Sequence, residues 1–139
     1  MAKKSKKIAV KCPILGFEDT KNMEFIPLDD IFVKLKSLDG RDFSFILIDA
    51  NLIRPDYNFD IAPYYKDILG LEKDSKRQAF VIMAIHEEIS NSTLNFLAPI
   101  LINWDKKALA QVILDSAAYP KYSQMDKISN YLRKNDESK

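Results

Sequence analysis

The stretch from Asn91 to Leu114, NSTLNFLAPILINWDKKALAQVIL, constrains the fold more than any other part of the chain. A polar entry (Asn91, Ser92, Thr93) leads into an apolar run that holds both Asn95 and Pro99. A charged turn, Trp104 to Lys107, follows, and a second apolar run opens at Gln111. Strand interiors avoid proline, which donates no backbone hydrogen bond. They also avoid bare amides, whose burial is costly without partners. Thr93, Asn95 and Pro99 therefore fix one particular backbone path, expected at a sheet edge. Two readings of Asn95 stand open: its amide satisfies internal backbone groups, or it is offered to a partner. Gln111 carries the same pair of readings.

The remaining pattern is rich in short strands. Ser37-Leu38-Asp39-Gly40 separates two apolar runs, Ile31 to Leu35 and Phe43 to Ile48, and Asp-Gly is a strong hairpin signal. Phe45 to Ile48 is continuously apolar, as expected of a strand covered on both faces. Further strands are expected over Met23 to Ile26, Phe80 to Ile85, Ile100 to Asn103 and Ala110 to Leu114. Pro63 suits the first turn of a helix over Tyr64 to Leu69, and Gly70 suits its end. Near the C-terminus, Ser123 with Asp126 resembles a capping box, and Met125, Ile128 and Leu132 fall at helical spacing. These signals add up to a mainly β, single-domain fold with one or two short helices, including a C-terminal helix.

With 139 residues the chain is long enough for one core. Lys3, Lys4, Lys6 and Lys7 crowd the start, while residues 8–139 hold 17 basic and 20 acidic residues. The expected organisation is a disordered basic tail over 1–7, one domain over 8–134 and a frayed end over 135–139. A mildly acidic body is a poor direct binder of nucleic acid, which needs clustered Lys and Arg. Cys12 is the only cysteine, so no internal disulfide forms. No signal-peptide core and no run approaching a membrane span is present, so a cytoplasmic protein without membrane association is expected.

Catalytic signatures are sparse. His86 is the only histidine, and one His with one Cys is poor material for a zinc site. Neither metal nor cofactor is expected. A small enzyme would rest on a Cys12/His86 pair or on the carboxylate pairs Asp29-Asp30 and Glu87-Glu88, which solvated turns explain equally. Tyr57, Phe59, Tyr64 and Tyr65 form an aromatic cluster in sequence, open to three readings: core packing, an exposed patch for a protein partner, or stacking on RNA bases. Pro55-Asp56-Tyr57 reads as a turn or as the rim of a binding site.

Several of these segments together resemble a known family. Thr93-x-Asn95-x-x-Ala98-Pro99, followed by a strand and Gln111-Val112-Ile113-Leu114, is similar to the signature of the FliW flagellar assembly factors. Leu15-Gly16-Phe17-Glu18, Leu35-Lys36-Ser37, Phe45 to Asp49 and Pro55-Asp56-Tyr57 occur in that family's order. The resemblance covers roughly residues 12–122. It implies a small, partly closed β-barrel-like fold and a non-enzymatic, monomeric regulator. It further implies two partners, flagellin and the RNA-binding repressor CsrA, and carries Glu18, Lys36, Asp56, Tyr57, Asn95, Phe96 and Pro99 as candidate partner-binding residues. A flagellin-specific chaperone without CsrA antagonism is the alternative. Lys36 stands where a glutamine is common in the family, and Phe96 where a leucine is common.

Overall fold

A computed structural model describes residues 5–39, 42–84, 92–122 and 126–128. Eight strands run in chain order: β1 (Lys6–Cys12), β2 (Asn22–Pro27), β3 (Phe32–Ser37), β4 (Ser44–Asp49), β5 (Arg77–Ala84), β6 (Thr93–Asn103), β7 (Ala108–Gln111) and β8 (Asp126–Lys127). Two short helices, α1 (Ala50–Ile53) and α2 (Pro63–Leu69), fall between β4 and β5. Strands β1 to β5 pair antiparallel in sequence, β5 pairs β6, and β6 pairs β7. Strand β7 then returns to β1 in parallel, closing a seven-stranded barrel. Among the described residues, closure leaves no long unpaired edge.

Alternation along the strands divides the buried side chains into two sets. One fills the barrel and draws on every wall strand: Ile8, Met23, Phe25, Leu35, Leu47, Phe80, Ile100, Ile102 and Leu109. The other lies on the outer face of β4 to β7, where Ile48, Val81, Met83, Leu94, Leu101 and Ala110 are covered by Tyr57, Leu69, Tyr122 and Ile128. Leu47 and Ile48 face opposite sets, which explains why Phe45 to Ile48 shows no polar alternation.

The local signals act as expected in most places. Strands β3 and β4 pair antiparallel on either side of the Asp39-Gly40 step, of which Gly40 lies outside the described residues, and α2 begins at Pro63 and ends at Gly70 in the left-handed conformation (φ 64°). Asp49 caps α1, its carboxylate accepting from the Asn51 N–H at 2.9 Å.

Two boundaries differ from the sequence reading. Lys6 and Lys7, assigned to a disordered tail, begin β1 opposite Phe25 and Glu24, and the Lys6 ammonium sits 5.1 Å from the Trp104 ring centre. Asp126–Lys127, placed in the C-terminal helix, instead pair with Thr93 and Leu94 of β6. Ile128 then packs fully buried in the outer set, with its N–H donating to the Ser92 carbonyl at 2.7 Å. That pairing takes precedence over the capping-box pattern. Met125, Leu132 and the rest of that expected helix lie outside the described residues, as do His86 and Glu87-Glu88.

Candidate functional site: a bulge held by remote side chains

Strand β6 is not an edge strand, contrary to the expectation from Pro99: β5 flanks it on one side, β7 and β8 on the other. Proline is tolerated through a register shift instead. Asn95 faces Ile82 and Ile100 faces Phe80, so four residues, Phe96 to Pro99, lie opposite Val81 alone. Bulges bend a strand and release part of its ladder. Each released backbone group then needs another partner, or its burial costs free energy.

Those partners are side chains that the sequence had singled out. The Asn95 Oδ1 accepts from the Leu97 N–H at 3.0 Å, so the amide serves the backbone. The Tyr57 hydroxyl donates to the Phe96 carbonyl at 2.6 Å. The Gln111 Nε2 donates to the Ala98 carbonyl at 3.4 Å. The carbonyls of Leu97 and Pro99 accept from Leu114 and Val112, at 2.8 and 2.9 Å, in the segment that continues β7. Pro99 brings no N–H to satisfy.

Gln111 also reaches outward. Its Oε1 accepts from the Leu15 N–H at 2.9 Å, tying the 14–18 turn to the bulge. In that turn the Phe17 N–H donates to the Ile14 carbonyl at 2.8 Å and Gly16 takes φ 88°, a backbone angle that suits glycine. The Glu18 carboxylate accepts from the Gly16 N–H at 3.0 Å. Phe17 packs on Phe43 and Phe45 at ring distances of 4.2 and 5.2 Å, which plugs this end of the barrel.

An aromatic cage holds Tyr57. Its ring lies 5.3 Å from Phe96, 4.7 Å from Tyr122 and 5.7 Å from Phe59. The Arg54 guanidinium stands 4.8 Å from the rings of both Phe96 and Tyr122, at cation–π range. The Tyr57 N–H donates to the Arg54 carbonyl at 2.9 Å, so Arg54-Pro55-Asp56-Tyr57 is the expected turn. Tyr122 both accepts from the Asn58 N–H (3.1 Å) and donates to the Asn58 carbonyl (3.2 Å), and Tyr119 accepts from the Asp60 N–H at 2.8 Å. Burial, and then the Tyr122 hydroxyl, push the Tyr57 phenol well above its ordinary range, with Arg54 opposing.

The seven candidate residues thus separate into two kinds. Tyr57 (4% exposed), Phe96 (0%) and Pro99 are buried, and Asn95 is half-buried. Their polar and ring contacts run to the bulge and the aromatic cage. Glu18, Lys36 and Asp56 are exposed. Lys36 projects from β3 between Glu24 and Ser44, at the same barrel end as the Phe17 plug. Asp56 lies in the exposed part of the Arg54–Tyr57 turn, beside the aromatic cage. Sequence reasoning passed over Arg54, Tyr119 and Tyr122; the hydrogen-bond partner of Tyr122 lies 64 residues away.

Of the other candidate chemistry, Asp29, Asp30 and Cys12 lie within the described residues. Among the described residues no three His, Cys, Asp or Glu side chains gather as a metal site. Asp29 accepts from the N–H groups of Ile31 (2.8 Å) and Phe32 (2.7 Å), the role of a turn cap. Cys12 packs half-buried against the outer set. No described helix is long and apolar enough to cross a membrane.

Comparison with known proteins gives a consistent result. The family model described as FliW protein matches residues 1–125. Flagellar assembly factor FliW of Campylobacter lari is 53% identical over 126 residues, covering 91% of this chain and 96% of that protein. Flagellar assembly factor FliW 2 of Wolinella succinogenes is 38% identical over 122 residues, covering 88% and 89%. A crystal structure of the flagellar assembly factor FliW shares the fold, with a TM-score of 0.78 at 24% identity over 88% of this chain and 84% of the other. The chain belongs to the FliW family of flagellar assembly factors.

Proposed function

We propose that this chain is a non-enzymatic, cytoplasmic, monomeric regulator that binds flagellin and, once flagellin has been exported, binds CsrA and relieves its repression of flagellin translation. The observation that carries this reading is family membership across residues 1–125, together with the bulge-holding set of Asn95, Pro99, Tyr57 and Gln111. The candidate direct contacts are Glu18, Lys36 and Asp56; Tyr57, Asn95, Phe96 and Pro99 act by fixing the bulge beneath.

The physics of partner exchange is simple. Two ligands that compete through one protein weaken each other reciprocally, whichever binds first. A mildly acidic body supports association with a basic RNA-binding protein. Lys36 in place of a common glutamine favours a second reading, a flagellin-specific chaperone that has lost the CsrA arm.

Titration calorimetry with purified flagellin, repeated with CsrA present, tests the proposal. Binding to both, each weakened by the other, is the expected result. Binding of flagellin that ignores CsrA selects the chaperone reading, and binding to neither at micromolar concentration overturns both.

A further inference from the structure

The two ends of the barrel are built differently. Ile14, Phe17, Phe43 and Phe45 close the end that carries Lys36 and Glu18. The opposite end opens into a groove of about 790 Å³, a size in the range of small-ligand and anchor-residue sites. Its floor is Phe25, Val33 and Phe80, side chains of the barrel's own interior. Trp104 forms one wall, its indole fixed by an edge contact with Phe25 (4.9 Å) and by donation to the Gln78 Oε1 (2.9 Å). The Gln78 Nε2 in turn donates to the Asp49 Oδ2 at 2.6 Å, so the wall is held from behind. Leu52 of α1, 54% exposed, lines the same groove.

Charge around this mouth is segregated. Reading the strands round the barrel, Asp29, Asp30 and Asp49 line the arc from the β2–β3 turn to the end of β4. Lys76, just before β5, and Lys6, on β1, line the remaining arc, either side of Trp104. An apolar floor with an acidic lip and a basic lip matches one kind of occupant. We propose that this groove docks an amphipathic segment of a protein partner, which seats one large apolar side chain between Trp104 and Leu52. A basic residue of the segment faces the aspartate arc, and an acidic residue faces Lys6 and Lys76. Resting on the reading above, the segment belongs to flagellin; the groove lies at the other end of the barrel from Lys36 and Glu18.

Trp104 is the only tryptophan, so 5-fluorotryptophan labelling places a single ¹⁹F reporter in the groove wall. Two probes are titrated into the full-length protein: purified flagellin, and a short synthetic helix bearing Arg, Leu and Glu one helical turn apart. The expected result is a saturable shift of the resonance with flagellin, lost with Leu52→Arg and weakened at least ~10-fold by Lys76→Glu, as for a central contact. Both positions are exposed, so folding is preserved and is checked by the unliganded ¹⁹F spectrum. Flagellin binding by calorimetry that leaves the resonance unmoved and both variants at wild-type affinity overturns the groove while keeping the function. If neither flagellin nor CsrA binds, the proposed function fails, and the synthetic helix decides alone: a saturable shift abolished by Leu52→Arg supports the groove, and no shift overturns it.

Discussion

Replacing Tyr57 by phenylalanine isolates the hydrogen bond that joins the 54–60 segment to the bulge. The ring contacts with Phe96, Phe59 and Tyr122 stay in place, so the hydrophobic contribution is nearly unchanged. What disappears is the 2.6 Å donation to the Phe96 carbonyl. A buried hydrogen bond contributes about 0.5–1.5 kcal/mol net, and a buried carbonyl deprived of its donor costs about 1–3 kcal/mol. The expected loss is about 2 kcal/mol, or a melting temperature lowered by roughly 6–8 °C for a domain of this size. Tyr57→Ala also empties the cage and is expected to cost about 3–5 kcal/mol, a large part of a typical total stability of ~5–15 kcal/mol. Urea unfolding followed through Trp104 fluorescence measures both. The alkaline limb adds an independent check. The unfolded phenol ionises near 10, while the folded one holds its proton to higher pH. Stability from this group is therefore complete below pH 10 and declines as pH rises beyond it, by up to ~1.4 kcal/mol per pH unit. Tyr57→Phe removes that component of the decline. A variant within ~0.3 kcal/mol of wild type at pH 7, with an unchanged alkaline limb, refutes the claim that Tyr57 holds the bulge.

Three further substitutions probe separate joints. Gln111→Leu takes partners from both the Ala98 carbonyl and the Leu15 N–H; a loss of ~1–3 kcal/mol and faster amide exchange at Leu15 are expected by hydrogen exchange. Gly70→Ala places a side chain at φ 64°, where the nearest atoms to its Cβ belong to the flexible Lys106 chain, at 3.4 Å; thermal unfolding is expected to register about 1 kcal/mol of backbone strain. Asp39 is held below its ordinary carboxylate range first by the Asn22 side chain and then by the Lys21 N–H. Its contribution is present above the unfolded value of 3.8 and fades as pH falls through the lower folded value. Asp39→Ala is therefore expected to speed exchange of the Lys21 and Asn22 amides at neutral pH, with the difference from wild type closing in acid.

The parts of this fold that were legible in the sequence are those governed by neighbours in the chain. Pro63 and Gly70 bracket α2, and Pro55-Asp56 make a turn, because each acts on its own backbone. The unusual path at Asn95 and Pro99 was legible as a constraint, but its form was not. Proline reads equally as an edge or a bulge, and only the register of β5 against β6 separates them. Strand β1 was hidden by its lysines: Lys6 lies over Trp104, a residue 98 positions later, which gives an exposed cation a partner that no local window contains. The same holds for Tyr119 and Tyr122, which grip the backbone of Asn58 and Asp60 across the outer face. At Asp126–Lys127 a local helix signal gave way to pairing with Thr93 and Leu94 and to the burial of Ile128.

Within the candidate site, Tyr57, Phe96 and Pro99, named as candidate partner contacts, are buried, and Asn95, open between serving the backbone and meeting a partner, is half-buried and serves the backbone. Asn95 and Tyr57 each supply a hydrogen bond to the bulge backbone, and the ring of Phe96 fills the cage that holds Tyr57. A family pattern marks what must be kept, and keeping a bulge in place requires buried residues as firmly as binding requires exposed ones.

Exchange between two partners is read directly by a fluorescent RNA bound to CsrA. Adding the protein is expected to lower the anisotropy as CsrA is captured and RNA released, and adding flagellin afterwards is expected to restore it. An anisotropy that the protein leaves unchanged, at concentrations where flagellin binding is saturated, contradicts the exchange account.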